Sequence, residues 1–130
     1  MTVLLDTDIL VRHFTGDPPA QAARARMVLR TTQGLFLTDL IVAETVYVLE
    51  SYYEAPRSEV AAHLRGALGS PRISVAHPPL LWRAFELYET VRFDFAEAYL
   101  VALAEASGAE AIASFDQSLD RVRTIQRLEP

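Results

Sequence analysis

Short, mainly apolar runs alternate along this chain with longer segments of helical period, and that alternation constrains the fold more than any other feature. Val3-Leu4-Leu5, Leu35-Phe36-Leu37, Ile73-Ser74-Val75 and Ala111-Ile112-Ala113-Ser114 read as strands, with Arg123-Thr124-Ile125 as a short fifth. Between them, apolar residues recur every three to four positions over residues 20–31, 40–53, 57–68, 80–91 and 95–107. Pro18-Pro19 suits the start of the first such helix and Gly108 the end of the last. Strands that are apolar on both faces belong in a parallel sheet with helices covering each side. The expectation is one domain spanning residues 1–130, a three-layer α/β/α sandwich around a central, mainly parallel sheet.

Composition narrows the chemistry. The chain has 130 residues, 51% of them hydrophobic and 22% charged, which suits a single folded domain with a real core. It has no cysteine, so disulfides, thiolate metal ligands and a cysteine nucleophile are excluded. No apolar stretch reaches the roughly 20 residues of a membrane helix, so no membrane partner is expected. The opening Met1-Thr2-Val3-Leu4-Leu5-Asp6 lacks a basic region before a long apolar run, so no export signal is expected. Cytoplasmic residence is the resulting expectation.

The net charge of −5 argues against a nucleic-acid binder whose contacts come from a basic surface. Divalent cations held by acidic residues would reverse that field locally, where a phosphate would sit. All the basic residues are Arg, which suits bidentate phosphate contacts, although a compositional bias is the preferred explanation of the missing Lys. Arg24, Arg26 and Arg30 form either a basic edge on their helix or an ordinary solvated face.

Ligands of open parallel sheets bind beyond the carboxyl ends of the strands. Asp6, Thr38-Asp39 and Ser114-Phe115-Asp116 stand at three such ends. Asp6-Thr7-Asp8 suits a hard cation, with helix capping from Thr7 or Asp8 as the competing account, accepted for Asp8. Glu44 has Leu40, Ile41, Tyr47 and Val48 as helical neighbours, which places it on an apolar face, where a carboxylate needs a partner or a metal. Asp94 and Glu97 have capping-box spacing, with Glu97 leaning inward beside Phe93, Leu100 and Val101. Asp116 suits either turn initiation or the same edge as Asp6. Four acidic positions on four separated elements suggest one site.

Other groups carry less. His13, His63 and His77 share no metal-ligand spacing and are expected in structural roles. Trp82, Phe85 and Leu87 read as core, while Tyr47, Tyr52 and Tyr53 suit either an interface or packing in the core or at a helix end.

The opening Leu-Leu-Asp-Thr-Asp-Ile-Leu-Val-Arg-His-Phe-Thr-Gly-Asp-Pro resembles the start of PIN-domain proteins, in particular VapC-type toxins of toxin–antitoxin pairs. Ala43-Glu44, Asp94-Phe95-Ala96-Glu97-Ala98 and Ala113-Ser114-Phe115-Asp116 follow in the family's order. The resemblance implies an α/β/α fold, Mg²⁺ or Mn²⁺ as cofactor, and cleavage of RNA. It assigns Asp6, Glu44 and Asp116 to metal-site positions, with Ser114 as a supporting residue and Thr7 as a neighbour of the ligands. The family usually has Asp where this chain has Glu97. The added methylene keeps the charge but shifts where the carboxylate reaches, and Asp94 is then an alternative or additional ligand. Two metal ions about 3.5–4 Å apart, bound with the substrate, would account for phosphodiester hydrolysis without a protein nucleophile. A cognate antitoxin and a homodimer are further implications.

Two rival enzymes fit less well. Asp6-Thr7-Asp8 resembles the nucleophile motif of haloacid-dehalogenase-like phosphatases, but Ile9-Leu10 replace the usual Gly and Thr. A response-regulator receiver uses a Lys, which this chain lacks. The alternative from another class is a PIN-like binding module, impaired in catalysis, that acts through dimerisation and partner binding.

Overall fold

The computed structural model describes residues 1–130, in two compact units, Met1–Ala76 and His77–Pro130. In the first, β1 (Val3–Leu4), β2 (Leu35–Phe36) and β3 (Ile73–Ser74) form a parallel sheet in that order. Val3 pairs with Leu35 and Leu4 with Phe36, and the ladder continues through Leu5 N–H to the Phe36 carbonyl at 3.0 Å. Parallel neighbours need long crossovers, which are helical here. Helices α1 (Thr7–Thr15) and α2 (Pro19–Thr31) join β1 to β2, and α3 (Asp39–Ser51) and α4 (Arg57–Leu68) join β2 to β3. The strands are too short for their ladder to supply much, so burial does most of the holding, at about 1.5–3 kcal/mol per enclosed Leu or Val. Leu10, Leu35, Leu37, Val42, Val60 and Leu64 are fully enclosed.

Gly34 lets β2 begin where it does. Its φ is 75°, and a Cβ there would lie 2.0 Å from the Met1 carbonyl oxygen. Only a residue without a side chain permits that approach, after which Val3 N–H reaches the Gly34 carbonyl at 2.8 Å.

The second unit begins with α5 (Pro78–Thr90) and α6 (Phe95–Ser107), which pack on each other. The Phe85 and Phe95 rings meet at 4.9 Å, with Tyr88 edge-on to Phe85 at 6.1 Å. Strand β4 (Ala111–Ala113) and β5 (Gln126–Leu128) form a parallel pair, joined through a 3-10 turn at Gln117–Arg121. Arg127 fastens this connection: Nε and Nη2 donate to the two Asp120 carboxylate oxygens at 3.0 and 3.2 Å, and Nη1 donates to the Ser114 carbonyl at 3.0 Å.

The architecture is α/β with parallel strands, as expected, although the strands divide into a three-stranded and a two-stranded sheet. Helices α4 and α6 have the expected bounds. The last strand lies at Gln126–Leu128 rather than at residues 123–125. Thr124 is used instead as an anchor, its hydroxyl donating to Glu105 Oε2 at 2.5 Å, and the strand begins after it. Trp82 was expected in the core but is 41% exposed, while Phe85 and Leu87 are buried as expected. His77 is structural, its Nδ1 accepting the Leu80 amide at the start of α5. Tyr53 packs at a helix end, its hydroxyl 3.2 Å from Asp17 Oδ2, whereas Tyr47 and Tyr52 face solvent.

Candidate functional site

In the first unit, Asp6 and Thr38 occupy equivalent positions, each two residues beyond the paired Leu4 and Phe36 at the carboxyl end of the sheet. Asp6 is exposed and is itself the N-cap of α1, its Oδ1 accepting the Thr7 amide at 2.8 Å. The helix thus starts at Thr7, and Asp8, expected as the cap, lies in the first turn and faces solvent. A carboxylate is favourable at a helix N-terminus, where it meets the positive end of the backbone dipole. Only one oxygen of Asp6 is engaged there, which leaves the other available. Thr7 Oγ1 is buried beside it with no hydrogen-bond partner. Thr38 caps α3 in turn, its Oγ1 accepting the Ile41 amide at 3.2 Å.

Glu44 departs from its expected surroundings. It is exposed, as are its helical neighbours Leu40 and Tyr47, at 76% and 67%. The enclosed stripe of α3 is Val42, Thr45, Val46 and Leu49. Helix α3 is apolar around most of its circumference, so the pattern alone does not tell which stripe faces inward. Desolvation is therefore not what marks Glu44; it offers a solvated carboxylate on an otherwise apolar outer face.

The second unit gathers three carboxylates. Asp94 is the N-cap of α6, its Oδ1 accepting the Glu97 amide at 2.8 Å. Half-buried Glu97, in the first turn, accepts the Ser118 hydroxyl on Oε2 at 2.6 Å. Asp116 caps the 3-10 turn, its Oδ1 accepting the Ser118 amide at 2.9 Å. Ser114, at the end of β4, steadies this turn by accepting the Asp116 amide on Oγ at 2.9 Å. Ser118 thus holds Glu97 and Asp116 together. Sequence reasoning missed it, although its place two residues after a capping Asp was a usable signal.

The electrostatics record the crowding. Burial, and then the neighbouring carboxylates of Asp94 and Asp116, push Glu97 up to about 7 against the opposing hydrogen bond from Ser118. Asp116 moves below its ordinary value, chiefly through the Ser118 amide and hydroxyl. Negative groups pressed together in this way are stabilised by a proton or by a cation. The donor set is all oxygen, which fits a hard divalent ion such as Mg²⁺ or Mn²⁺. The carboxylates crowd without converging on a common centre: within neither unit do three or more His, Cys, Asp or Glu side chains form a ready-made metal cluster.

A family model described as PIN domain matches residues 3–125. No curated protein matches the chain.

Proposed function

The chain belongs to the PIN-domain family, whose members are generally nucleases that use divalent metal ions, and on that premise we propose that it is a Mg²⁺- or Mn²⁺-dependent endoribonuclease. The observation that carries the reading is the span of the family match, residues 3–125, within which Asp6, Glu44, Asp94, Glu97 and Asp116 all fall. Within the proposal, residues 1–130 act as one domain and these five acids hold the metal. Thr7 and Ser114 support them. Bound metal supplies a water of lowered pKa and stabilises charge developing on the phosphate and the leaving oxygen.

The side chains divide the remaining work. Asp6 is aimed by its cap bond to the Thr7 amide and keeps a free oxygen for a cation. Ser118 limits the rotamers of Glu97, which offsets the longer reach of Glu relative to Asp. Asp116 is fixed by Ser114 and Ser118 on opposite sides of its turn. The wider role we assign is that of a VapC-type toxin in a type II toxin–antitoxin pair, with RNA as substrate, a cognate antitoxin as inhibitor and a homodimer as the working form.

A second reading, a binding module impaired in catalysis, draws on Glu97 standing where the family usually has Asp. One experiment separates them. Labelled structured RNA is incubated with the protein in Mg²⁺, in Mn²⁺ and in EDTA, beside Asp6→Asn. Metal-dependent cleavage lost in the variant establishes the nuclease. No cleavage, together with no metal-dependent rise in melting temperature, removes that reading and leaves the binding module.

A further inference from the structure

The first unit carries a concave surface at the end of its sheet opposite Asp6. Asp6 follows the carboxyl end of β1, whereas Ile73 opens β3 at the amino edge of the same parallel sheet. Ile73 lines a pocket of about 330 Å³, together with Leu10, Phe14 and His63. Phe14 and His63 are stacked there, with ring centroids 4.7 Å apart and planes inclined by 19°. A second cleft, of about 470 Å³, adjoins this pocket. The two share His13, Leu29 and Ser70 as walls, and the second adds Arg26, Arg30 and Arg72.

Three guanidinium groups in one cleft stand out in a chain of net charge −5. Arg26 and Arg30 lie one turn apart on α2, where like charges oppose each other. Arg72 comes from the turn before β3. No carboxylate pairs with any of the three, whereas Arg83 and Arg127 both have carboxylate partners. The Ser70 hydroxyl oxygen accepts the Arg72 amide at 3.2 Å and keeps its own hydrogen free to donate. A cluster of this kind suits a phosphate, which planar guanidinium groups bind through paired hydrogen bonds. A bare ion has no use for the adjoining pocket. An aromatic pair beside apolar side chains does suit a flat ring, and the volume lies within the range of small-molecule sites.

We propose that this double cleft binds a nucleotide, its phosphate against Arg26, Arg30 and Arg72 and its base beside the Phe14–His63 pair. The assignment goes beyond the nuclease reading and does not use the acidic residues. A free mononucleotide and a nucleotide within single-stranded RNA present the same chemistry.

The test uses the whole protein in EDTA, where metal-dependent cleavage is silent, so that binding stands or falls apart from the nuclease reading. AMP, UMP, inorganic phosphate and a short single-stranded oligoribonucleotide are titrated in turn. Calorimetry gives the affinity, and the His13 and His63 imidazole resonances report the location. The expected result is that a mononucleotide or the oligonucleotide moves both imidazole signals and binds at least about tenfold more tightly than inorganic phosphate. The double variant Arg26→Gln, Arg72→Gln alters side chains outside the core and is expected to lose at least about tenfold of that affinity with an unchanged melting temperature. Phe14→Leu is expected to remove the advantage over phosphate while leaving phosphate binding in place. Tighter binding of the oligonucleotide than of the mononucleotides assigns the cleft to an RNA strand, and equal or weaker binding assigns it to free nucleotides. Unmoved imidazole signals with millimolar ligand, equal affinity for phosphate, or full affinity in the double Arg variant would overturn the proposal.

Discussion

Ser118 donates its hydroxyl hydrogen to Glu97 Oε2 over 2.6 Å and so ties the 3-10 turn to the first turn of α6. A hydrogen bond to a carboxylate contributes about 1.5–3 kcal/mol, and part-solvated pairs fall at the lower end. Ser118→Ala is expected to lower the stability of the metal-free protein by about 1 kcal/mol in urea denaturation. Ser118→Thr, which keeps the hydroxyl, is expected to recover most of it. Equal losses in both variants would mean that side-chain fit at position 118, not the bond, is what matters.

The strand start at Gly34 offers a sharper contrast. Gly34 and Gly16 share a left-handed backbone, at φ 75° and 71°, but only at Gly34 does a Cβ meet the chain. Left-handed geometry costs a residue with a side chain about 1–2 kcal/mol. Gly16→Ala is expected to show that loss alone. Gly34→Ala is expected to exceed it clearly, because the Met1 carbonyl, and with it the β1–β2 pairing, must move. Chemical denaturation of the two variants side by side decides the matter, and equal losses would refute the steric account.

Arg83 and Glu105 link α5 to α6 through two parallel bonds, Nε to Oε1 at 2.8 Å and Nη2 to Oε2 at 3.1 Å. Arg83 also pairs with Glu86 on its own helix, and Thr124 donates to the same Glu105 carboxylate. The guanidinium, followed by Thr124, holds the Glu105 carboxyl below its ordinary range against the opposing effect of burial. A depressed carboxyl stabilises the fold above its unfolded pKa, and the contribution is lost as pH falls through the folded value. Glu105→Gln is expected to cost about 1–2 kcal/mol at pH 7, with a smaller difference from the parent near pH 3. A difference independent of pH would show that the pair contributes only by packing.

His13 runs the other way. Burial, then Arg26, then His63 hold its imidazole below the ordinary value of 6.5. The unfolded chain therefore takes up a proton that the folded one resists. His13 imposes no penalty well above 6.5, and stability falls as the pH drops through that value toward the folded pKa. Melting temperatures between pH 7.5 and 5 should fall less steeply in His13→Gln than in the parent. Parallel curves would remove His13 as the source.

Legibility in the sequence followed the range of the interactions. Helix α6 could be bounded by eye because Asp94 caps it and Gly108 ends it with left-handed geometry, both local effects. The parallel pairing of β1 with β2 was readable because strands apolar on both faces have few other uses. What failed depended on contacts distant in sequence. The position of β5 was set by Thr124 reaching Glu105, and the inward face of α3 by packing that its nearly uniform apolarity conceals. Asp6, Asp94, Glu97 and Asp116 were visible as strand ends and helix starts, whereas Glu44 was singled out for an apolar face that proves exposed. The tie through Ser118 was not visible, since it spans 21 residues from Glu97.

The parallel register also carries a kinetic consequence. The β1–β2 and β2–β3 pairs close loops more than twice as long as the one closed by β4 and β5. Each doubling of loop length adds about 0.6 kcal/mol of closure entropy, before contacts compensate it. Residues such as Ile112 and Leu128 should therefore gain amide protection earlier during refolding than Leu5 or Leu37, as pulse-labelled exchange would detect. The carboxylates of Asp94, Glu97 and Asp116 would then be drawn together on a folding chain that has yet to order the strand leading to Asp6.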